Sequence, residues 1–275
     1  MIQLVATDLD GTLLTPEQTV TARTKTTLRQ VQKLGITVVL VTARPILTAR
    51  LIAQKAGVSG LAIVSNGAIT LDLDKDPISD PTAILEHLQL APEISFKFIR
   101  VLRTAVPDVT FALVDSLGFY AEPEYHAGAA LADHGALLTQ TLIMDALVFA
   151  HVPATKLIAR SAQIQPDQLL EIARGLNISG LELTHSNAPF IEVAAAGITK
   201  ARSLEKLCQS RGILPESVVA FGDAPNDRPM LEWAGHGVAM SNAHANLLEI
   251  ADEVTLSNLE DGVAVWLEKN LLAKP

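Results

Sequence analysis

The amino-acid sequence predicts an α/β fold, a parallel sheet covered on both faces by helices, carrying a separate α+β insert. Three observations predict it. Uninterrupted apolar runs at Ile36–Val41 and Val218–Phe221 read as strands buried on both faces, the pattern of parallel sheets. These runs alternate with segments of helical periodicity, as βαβ units do. From about Ala83 to Ala188 the pattern changes to short strands and helices of a separate α+β unit. The expected division is a core of residues 1–82 and 189–275 and an insert of residues 83–188.

Each element has a local reason. A short apolar strand, Val5-Ala6-Thr7, opens the chain. Thr21 to Leu34 carries apolar Leu28, Val31 and Leu34 before Gly35, the spacing of a helix with a C-terminal glycine. The Ile36–Val41 strand delivers Thr42, Ala43, Arg44 and Pro45, and a helix follows to about Ala56. Leu61 to Val64 is a short strand leading into Ser65-Asn66-Gly67-Ala68, which reads equally as a hairpin turn or as the lead toward the insert, two compatible readings. In the insert, a strand near Ala83 to Leu90 precedes an amphipathic helix through Ala105, with Phe96, Ile99 and Leu102 on one face. Val109–Val114 and Phe119–Ala121 form a hairpin. Lys156–Ala159 is a strand, Pro166–Leu176 a helix and Leu181–Thr184 the returning strand. Beyond the insert, Lys200 stands at the start of a helix running to about Ser210, with Leu204, Leu207 and Cys208 inward.

Four segments carry the candidate chemistry. Asp8 and Asp10 end the first strand; residues two apart in an extended chain face the same way, and Gly11 permits a sharp exit. Thr42 lies at the end of a buried strand, where ligands of open parallel sheets bind. Lys200 offers a cation, and the loop after Val218–Phe221 supplies Asp223, Asn226 and Asp227. Each has a plain structural alternative: an acidic turn, a helix cap at Thr42, a solvated lysine, a polar loop. Their joint occurrence in one order, three of the four following an apolar strand, favours a phosphoryl-transfer site.

On these motifs the chain resembles a haloacid dehalogenase superfamily hydrolase, a Cof-type subclass IIB phosphatase. The segments Gly235–Ala243, Ala251–Thr255 and Asn258–Val263 resemble the C-terminal core of that family as well. The resemblance implies a Rossmann-like core with an inserted type IIB cap that governs substrate choice. It implies that Asp8 attacks phosphorus to form an aspartyl-phosphate, and that Asp10 protonates the leaving group and then takes a proton from water. It implies Mg²⁺ held by Asp8, the backbone carbonyl of Asp10, and Asp223. Lys200 would neutralise Asp8 and phosphoryl oxygens, Thr42 would donate a hydrogen bond to them, and Arg44, Asn226 and Asp227 would bind phosphate or support the site. The sequence departs from the family pattern at Ala43 and Ala201, often glycine, and at Ala224-Pro225, where a polar residue often follows the aspartate.

Substrate selection would fall to the insert, where Tyr125, His126, His151, His185 and Asn187 are candidates. His185 and Asn187 are preferred because they lie just before the chain returns to the core. A zinc site among the histidines lacks a tight ligand spacing. The run Asp72-Leu73-Asp74-Lys75-Asp76 fails as a calcium loop, since Pro77 and Ala83 stand where glycine and a bidentate glutamate are needed.

Composition agrees with a soluble enzyme. Among 275 residues, 49% are hydrophobic and the net charge is -9, against a nucleic-acid binder, whose footprint is basic. One cysteine, Cys208, excludes internal disulfides and fits a reducing compartment. The expected address is cytoplasmic: no apolar run reaches the ~20 residues of a membrane span, and Asp8 lies too near the start for a signal peptide. The expected activity is hydrolysis of a small phosphorylated metabolite, a sugar phosphate or phosphorylated cofactor. A phosphomutase and a non-catalytic metabolite-binding protein are the alternatives.

Overall fold

A computed structural model describes residues 1–128 and 141–273. The chain forms two compact units, one of Met1–Glu86 with Thr199–Pro275, the other of His87–Ile198. In chain order the strands among the described residues are β1 Leu4–Thr7, β2 Thr37–Val41, β3 Leu61–Val64, β4 Ile69–Asp72, β5 Ile84–His87, β6 Thr110–Val114, β7 Phe119–Ala121, β8 Leu142–Ile143, β9 Lys156–Arg160, β10 Leu181–Thr184, β11 Ile191–Ala195, β12 Val218–Gly222, β13 His236–Met240 and β14 Glu253–Thr255.

The first unit is built on an eight-stranded sheet of order β14-β13-β12-β1-β2-β3-β4-β5. From β14 through β3 neighbouring strands are parallel, while β4 returns antiparallel to β3. Leu4, Val5, Ala6, Val39, Leu40, Val219, Ala220 and Phe221 are buried, as continuous apolar strands covered on both faces must be. Helix Ala22–Lys33 starts where the Thr21 side chain accepts from the Thr24 amide, satisfying one of the free N–H groups of the first turn. Helix Ile46–Ala56 stops at Gly57, whose left-handed backbone caps it.

Register sets the chemistry at one edge of this sheet. Thr7 stands level with Leu40 on one side and Phe221 on the other. Asp8, Thr42 and Asp223 therefore leave their strands within two residues of one another's level. β1 has β2 on one flank and β12 on the other, so the strand order reverses about β1, and in open parallel sheets ligands lie beyond the carboxyl ends at such a point.

The second unit holds a six-stranded sheet of order β10-β11-β9-β6-β7-β8, antiparallel except for β7 beside β8. Helices Pro92–Ala105 and Pro166–Gly175 bury Phe98, Ile99, Leu102, Leu169 and Leu170 with the inward residues Phe111, Leu113, Leu157, Ile191 and Val193.

Two boundaries differ from the sequence reading. The strand expected over Ala83–Leu90 is only Ile84–His87 and closes the edge of the eight-stranded sheet; Leu90 instead makes an isolated bridge to Ala154. The insert runs on to Ile198 rather than Ala188, because β11 pairs antiparallel with both β10 and β9. Hydrophobicity alone does not say which of two sheets a five-residue strand joins.

Candidate active site

The loop after β1 is shaped by Gly11, whose φ is +75°. A Cβ there would lie 2.3 Å from Oδ2 of Asp223, so only glycine lets the loop and that carboxylate approach. Thr12 Oγ1 donates to Asp223 Oδ1 at 2.9 Å, and Asn242 Nδ2 donates to the Gly11 carbonyl at 2.8 Å. The tight turn thus fixes the Asp223 carboxylate against the segment that carries Asp8 and Asp10.

Lys200 begins helix Lys200–Ser210, whose first turn is capped by the Thr199 side chain accepting from the Arg202 amide. Its side chain is buried, and Nζ donates to Oδ1 of Asp8 at 2.6 Å and to Oδ1 of Asp227 at 2.6 Å. Oδ2 of Asp227 accepts from the amides of Asp223 and Ala224. One carboxylate therefore holds both the lysine and the turn of the acidic loop. Pro225 suits that turn, because the first position of the 3₁₀ segment Pro225–Asp227 needs no N–H donor.

Burial pushes the Asp8 carboxyl well above the usual range; Lys200 opposes this, while Asp227, Asp223 and Asp10 add to it. Burial works against the Lys200 ammonium too, but Asp227 and Asp8 outweigh it and hold its pKa above the ordinary lysine value. A buried cation between two carboxylates stays charged when its hydrogen bonds are met.

Arg44 clamps Asp10 through both oxygens, Nε to Oδ2 at 2.7 Å and Nη2 to Oδ1 at 2.5 Å. Burial lowers the guanidinium pKa, and the bonds to Asp10 more than restore it. Thr42 is buried; its amide donates to the Ile63 carbonyl, and its hydroxyl accepts from the Arg44 amide at 3.1 Å. Asn226 is buried as well, with Nδ2 donating to Oδ1 of Asn66 at 2.9 Å. The structure brings Asp8, Asp223, Asp227 and Lys200 into one buried cluster, with Asp10 and Arg44 paired beside Thr42. Sequence reasoning missed Thr12, Asn66 and Asn242. Their polarity in short loops was the only signal, and it does not name a partner hundreds of residues away.

Comparison with known proteins decides the family. A sequence model of the haloacid dehalogenase-like hydrolases matches residues 5–267. This chain belongs to that family. The hydrolase is 31% identical over 265 residues to the 5-amino-6-(5-phospho-D-ribitylamino)uracil phosphatase YcsE of Bacillus subtilis (strain 168), covering 96% of this chain and 93% of that one. It is 29% identical over 286 residues to the pyridoxal phosphate phosphatase YbhA of Escherichia coli (strain K12), covering 98% of this chain and 99% of the other. Among solved structures it is similar to BT1666 of Bacteroides thetaiotaomicron, a phosphatase of the haloalkanoate (HAD) superfamily, with TM-score 0.80, 25% identity and coverage of 98% and 95%. The chain is a phosphoric monoester hydrolase of this family.

The hydrolase has donors suited to a hard divalent cation. Oxygens of Asp8, Asp223 and Asp227 lie within 4.8 Å of one another, and oxygen-only sites favour ions such as Mg²⁺. Of the three, Asp227 is engaged by Lys200 and two backbone amides.

His185 and Asn187 lie in the second unit of the hydrolase. His185 is buried, and its Nε2 shares a hydrogen bond with Asp167 Oδ1 at 2.9 Å. That bond ties the end of β10 to the first turn of helix Pro166–Gly175. Asn187 is exposed and has φ +57°. Tyr125 is buried, whereas His151 is exposed, its ring tilted 42° to that of Phe96 at 5.8 Å. The aspartates of the Asp72–Asp76 run make local bonds: Asp76 pairs with Arg50 and Ser79, and Asp72 accepts from the Asp74 amide. Among the described residues no helix is long and apolar enough to cross a membrane.

Proposed function

We propose that this chain is a Mg²⁺-dependent phosphatase that hydrolyses a small phosphomonoester, a sugar phosphate or phosphorylated cofactor, through an aspartyl-phosphate on Asp8. The observation that carries the reading is the buried Asp8 carboxylate held at 2.6 Å by Lys200, with Asp223 alongside. A nucleophilic carboxylate and a phosphate dianion repel one another. Positive charge fixed at the point of attack removes that barrier.

Asp8 attacks phosphorus in line, and the bond to the leaving alcohol breaks while Asp10 protonates its oxygen. Asp10 then accepts a proton from a water that attacks the aspartyl-phosphate, releasing inorganic phosphate and restoring Asp8. To act as acid, Asp10 must leave the two-point clamp of Arg44. Lys200 stays with Asp8 throughout, held by Asp227, and Thr42 and Asn226 contact phosphoryl oxygens; such positioning supplies most of phosphoryl-transfer catalysis. Asp8, Asp223 and the Asp10 carbonyl would hold Mg²⁺, which when bound neutralises charge on the transferring group. The first unit carries the residues of this chemistry, and the second is the candidate for substrate selection. His185 and Asn187 are the candidates there, and His185 is bonded to Asp167.

The two curated relatives bear names for different phosphomonoesters, an aminouracil ribityl phosphate and pyridoxal phosphate. The family therefore does not choose the substrate. The test is phosphate release from a panel of sugar phosphates, nucleotides and phosphorylated cofactors with Mg²⁺. Wild-type release that stops with chelator and with Asp8→Asn supports the reading; release by Asp8→Asn at the wild-type rate overturns it.

A further inference from the structure

The turn that joins β3 to β4 has an unusual backbone. Ser65, Asn66 and Gly67 all have positive φ, +52°, +58° and +105°. Such residues strain an L side chain except at glycine and, more mildly, asparagine. They persist where the surroundings over-determine them, and they cluster at functional sites. Here the surroundings are the segments of the candidate site within the same unit.

The Ser65 amide donates to the Arg44 carbonyl and the Asn66 amide to the Thr42 carbonyl. The Asn66 side chain, buried, accepts from Asn226 Nδ2 at 2.9 Å. The Gly67 carbonyl accepts from Ser203 Oγ at 2.7 Å, one turn beyond Lys200. A Cβ on Gly67 would lie 2.3 Å from the Thr199 carbonyl. Three consecutive residues thus touch the loop of Thr42 and Arg44, the turn of Asn226 and Asp227, and the first turn of the Lys200 helix. Within them, Asn66 joins the first two: its amide N–H holds one and its side-chain oxygen the other.

We infer that Asn66 is a positioning residue that sets the separation of the Thr42 hydroxyl from the Asn226 carboxamide. The left-handed backbone aims its amide and its side chain at different loops, which an extended residue in that turn would not do. The inference rests on the phosphatase reading, in which Thr42 and Asn226 contact the phosphoryl group. Asn66 itself touches neither substrate nor metal in this account. Among the described residues the buried Oδ1 of Asn226 has no hydrogen-bond partner, so the carboxamide is oriented by its bond to Asn66.

The variant Asn66→Gly keeps the positive φ without strain and the backbone N–H, and removes the side chain with its carboxamide. With p-nitrophenyl phosphate and Mg²⁺, kcat falls about 10- to 100-fold while KM changes little, since misplacing a contact hurts the transition state most. Asn226→Ala shows a similar loss, and the double variant loses no more than either single, as residues acting through one contact do. Multiplying losses in the double variant, or wild-type kcat in Asn66→Gly, overturn the inference. A readout independent of turnover separates it from the phosphatase reading. The Asn226 side-chain amide, identified by NMR from its disappearance in Asn226→Ala, is protected from hydrogen exchange in the wild type and exchanges faster in Asn66→Gly. Unchanged exchange overturns the role of Asn66 even if the enzyme is active. Wild-type inactivity with altered exchange overturns the phosphatase reading and leaves the link standing.

Discussion

Lys200 is held between Asp8 and Asp227, its ammonium 2.6 Å from one oxygen of each. The second oxygen of Asp227 is anchored by the amides of Asp223 and Ala224. The lysine therefore reaches Asp8 from a fixed post, and the same carboxylate sets the loop of Asp223. Removing the cation leaves two buried carboxylates facing one another. Lys200→Met is expected to lose about 3 to 5 kcal/mol of stability in the metal-free protein and at least about 100-fold in kcat. Urea midpoints and p-nitrophenyl phosphate turnover measure both; retention of either within twofold contradicts the arrangement.

The folded pKa of Lys200 stands above its ordinary value despite burial, because Asp227 and Asp8 stabilise the ammonium. A raised lysine pKa contributes stability that is complete below the unfolded pKa, about 10.4, and is lost as pH climbs through the folded value. Unfolding free energy measured from pH 9 to 12 should decline more steeply in the wild type than in Lys200→Met. Parallel curves would refute this linkage.

If the proposed metal site is right, cation binding stabilises the fold, since the oxygens of Asp8 and Asp223 converge only in the native state. At a Mg²⁺ concentration about 100 times Kd the gain is about 2.7 kcal/mol, visible as a rise in Tm. Asp223→Asn should abolish most of that rise. An equal rise in the variant would place the ion elsewhere.

Two glycines with positive φ make a matched comparison. Gly11→Ala drives a methyl group to within 2.3 Å of the Asp223 carboxylate, whereas a Cβ at Gly35 meets nothing within 4 Å. Both substitutions strain the backbone by about 1 to 2 kcal/mol. Gly11→Ala alone should also cost roughly 100-fold in kcat, the scale set by misplacing a reacting group by about 1 Å. Normal turnover by Gly11→Ala would show that the loop has room to spare.

Cys208 is a buried thiol whose pKa burial pushes up to about 11. Thiolate is the reactive form, so a thiol reagent at pH 8 should leave the native protein unmodified and label it once denaturant unfolds the helix. Stoichiometric labelling within minutes in buffer would be the contrary result.

The alternation of apolar strands and helical segments was legible because burial on both faces writes itself into consecutive residues. So were Asp8, Thr42, Lys200 and Asp223, each of which sits at the end of an apolar strand or the start of a patterned helix. Leu61–Val64 and its turn were legible too, and the turn is the hairpin that Asn66-Gly67 announces. The placement of Ile191–Ala195 in the second sheet was not, since strand pairing depends on partners far along the chain.

By itself the sequence determined the α/β class, the order of the motifs and the residue types that phosphoryl transfer requires, because each depends on local pattern or side-chain identity. Only the tertiary structure decided that Asp227 anchors Lys200, that Arg44 clamps Asp10, that Thr12 and Gly11 seat Asp223, and that Asn66 reaches Asn226. Those pairs join residues as far apart as Thr12 and Asp223, 211 positions, and Gly11 and Asp223. They form because parallel strands in register end at one level, a distance relationship that no local pattern encodes.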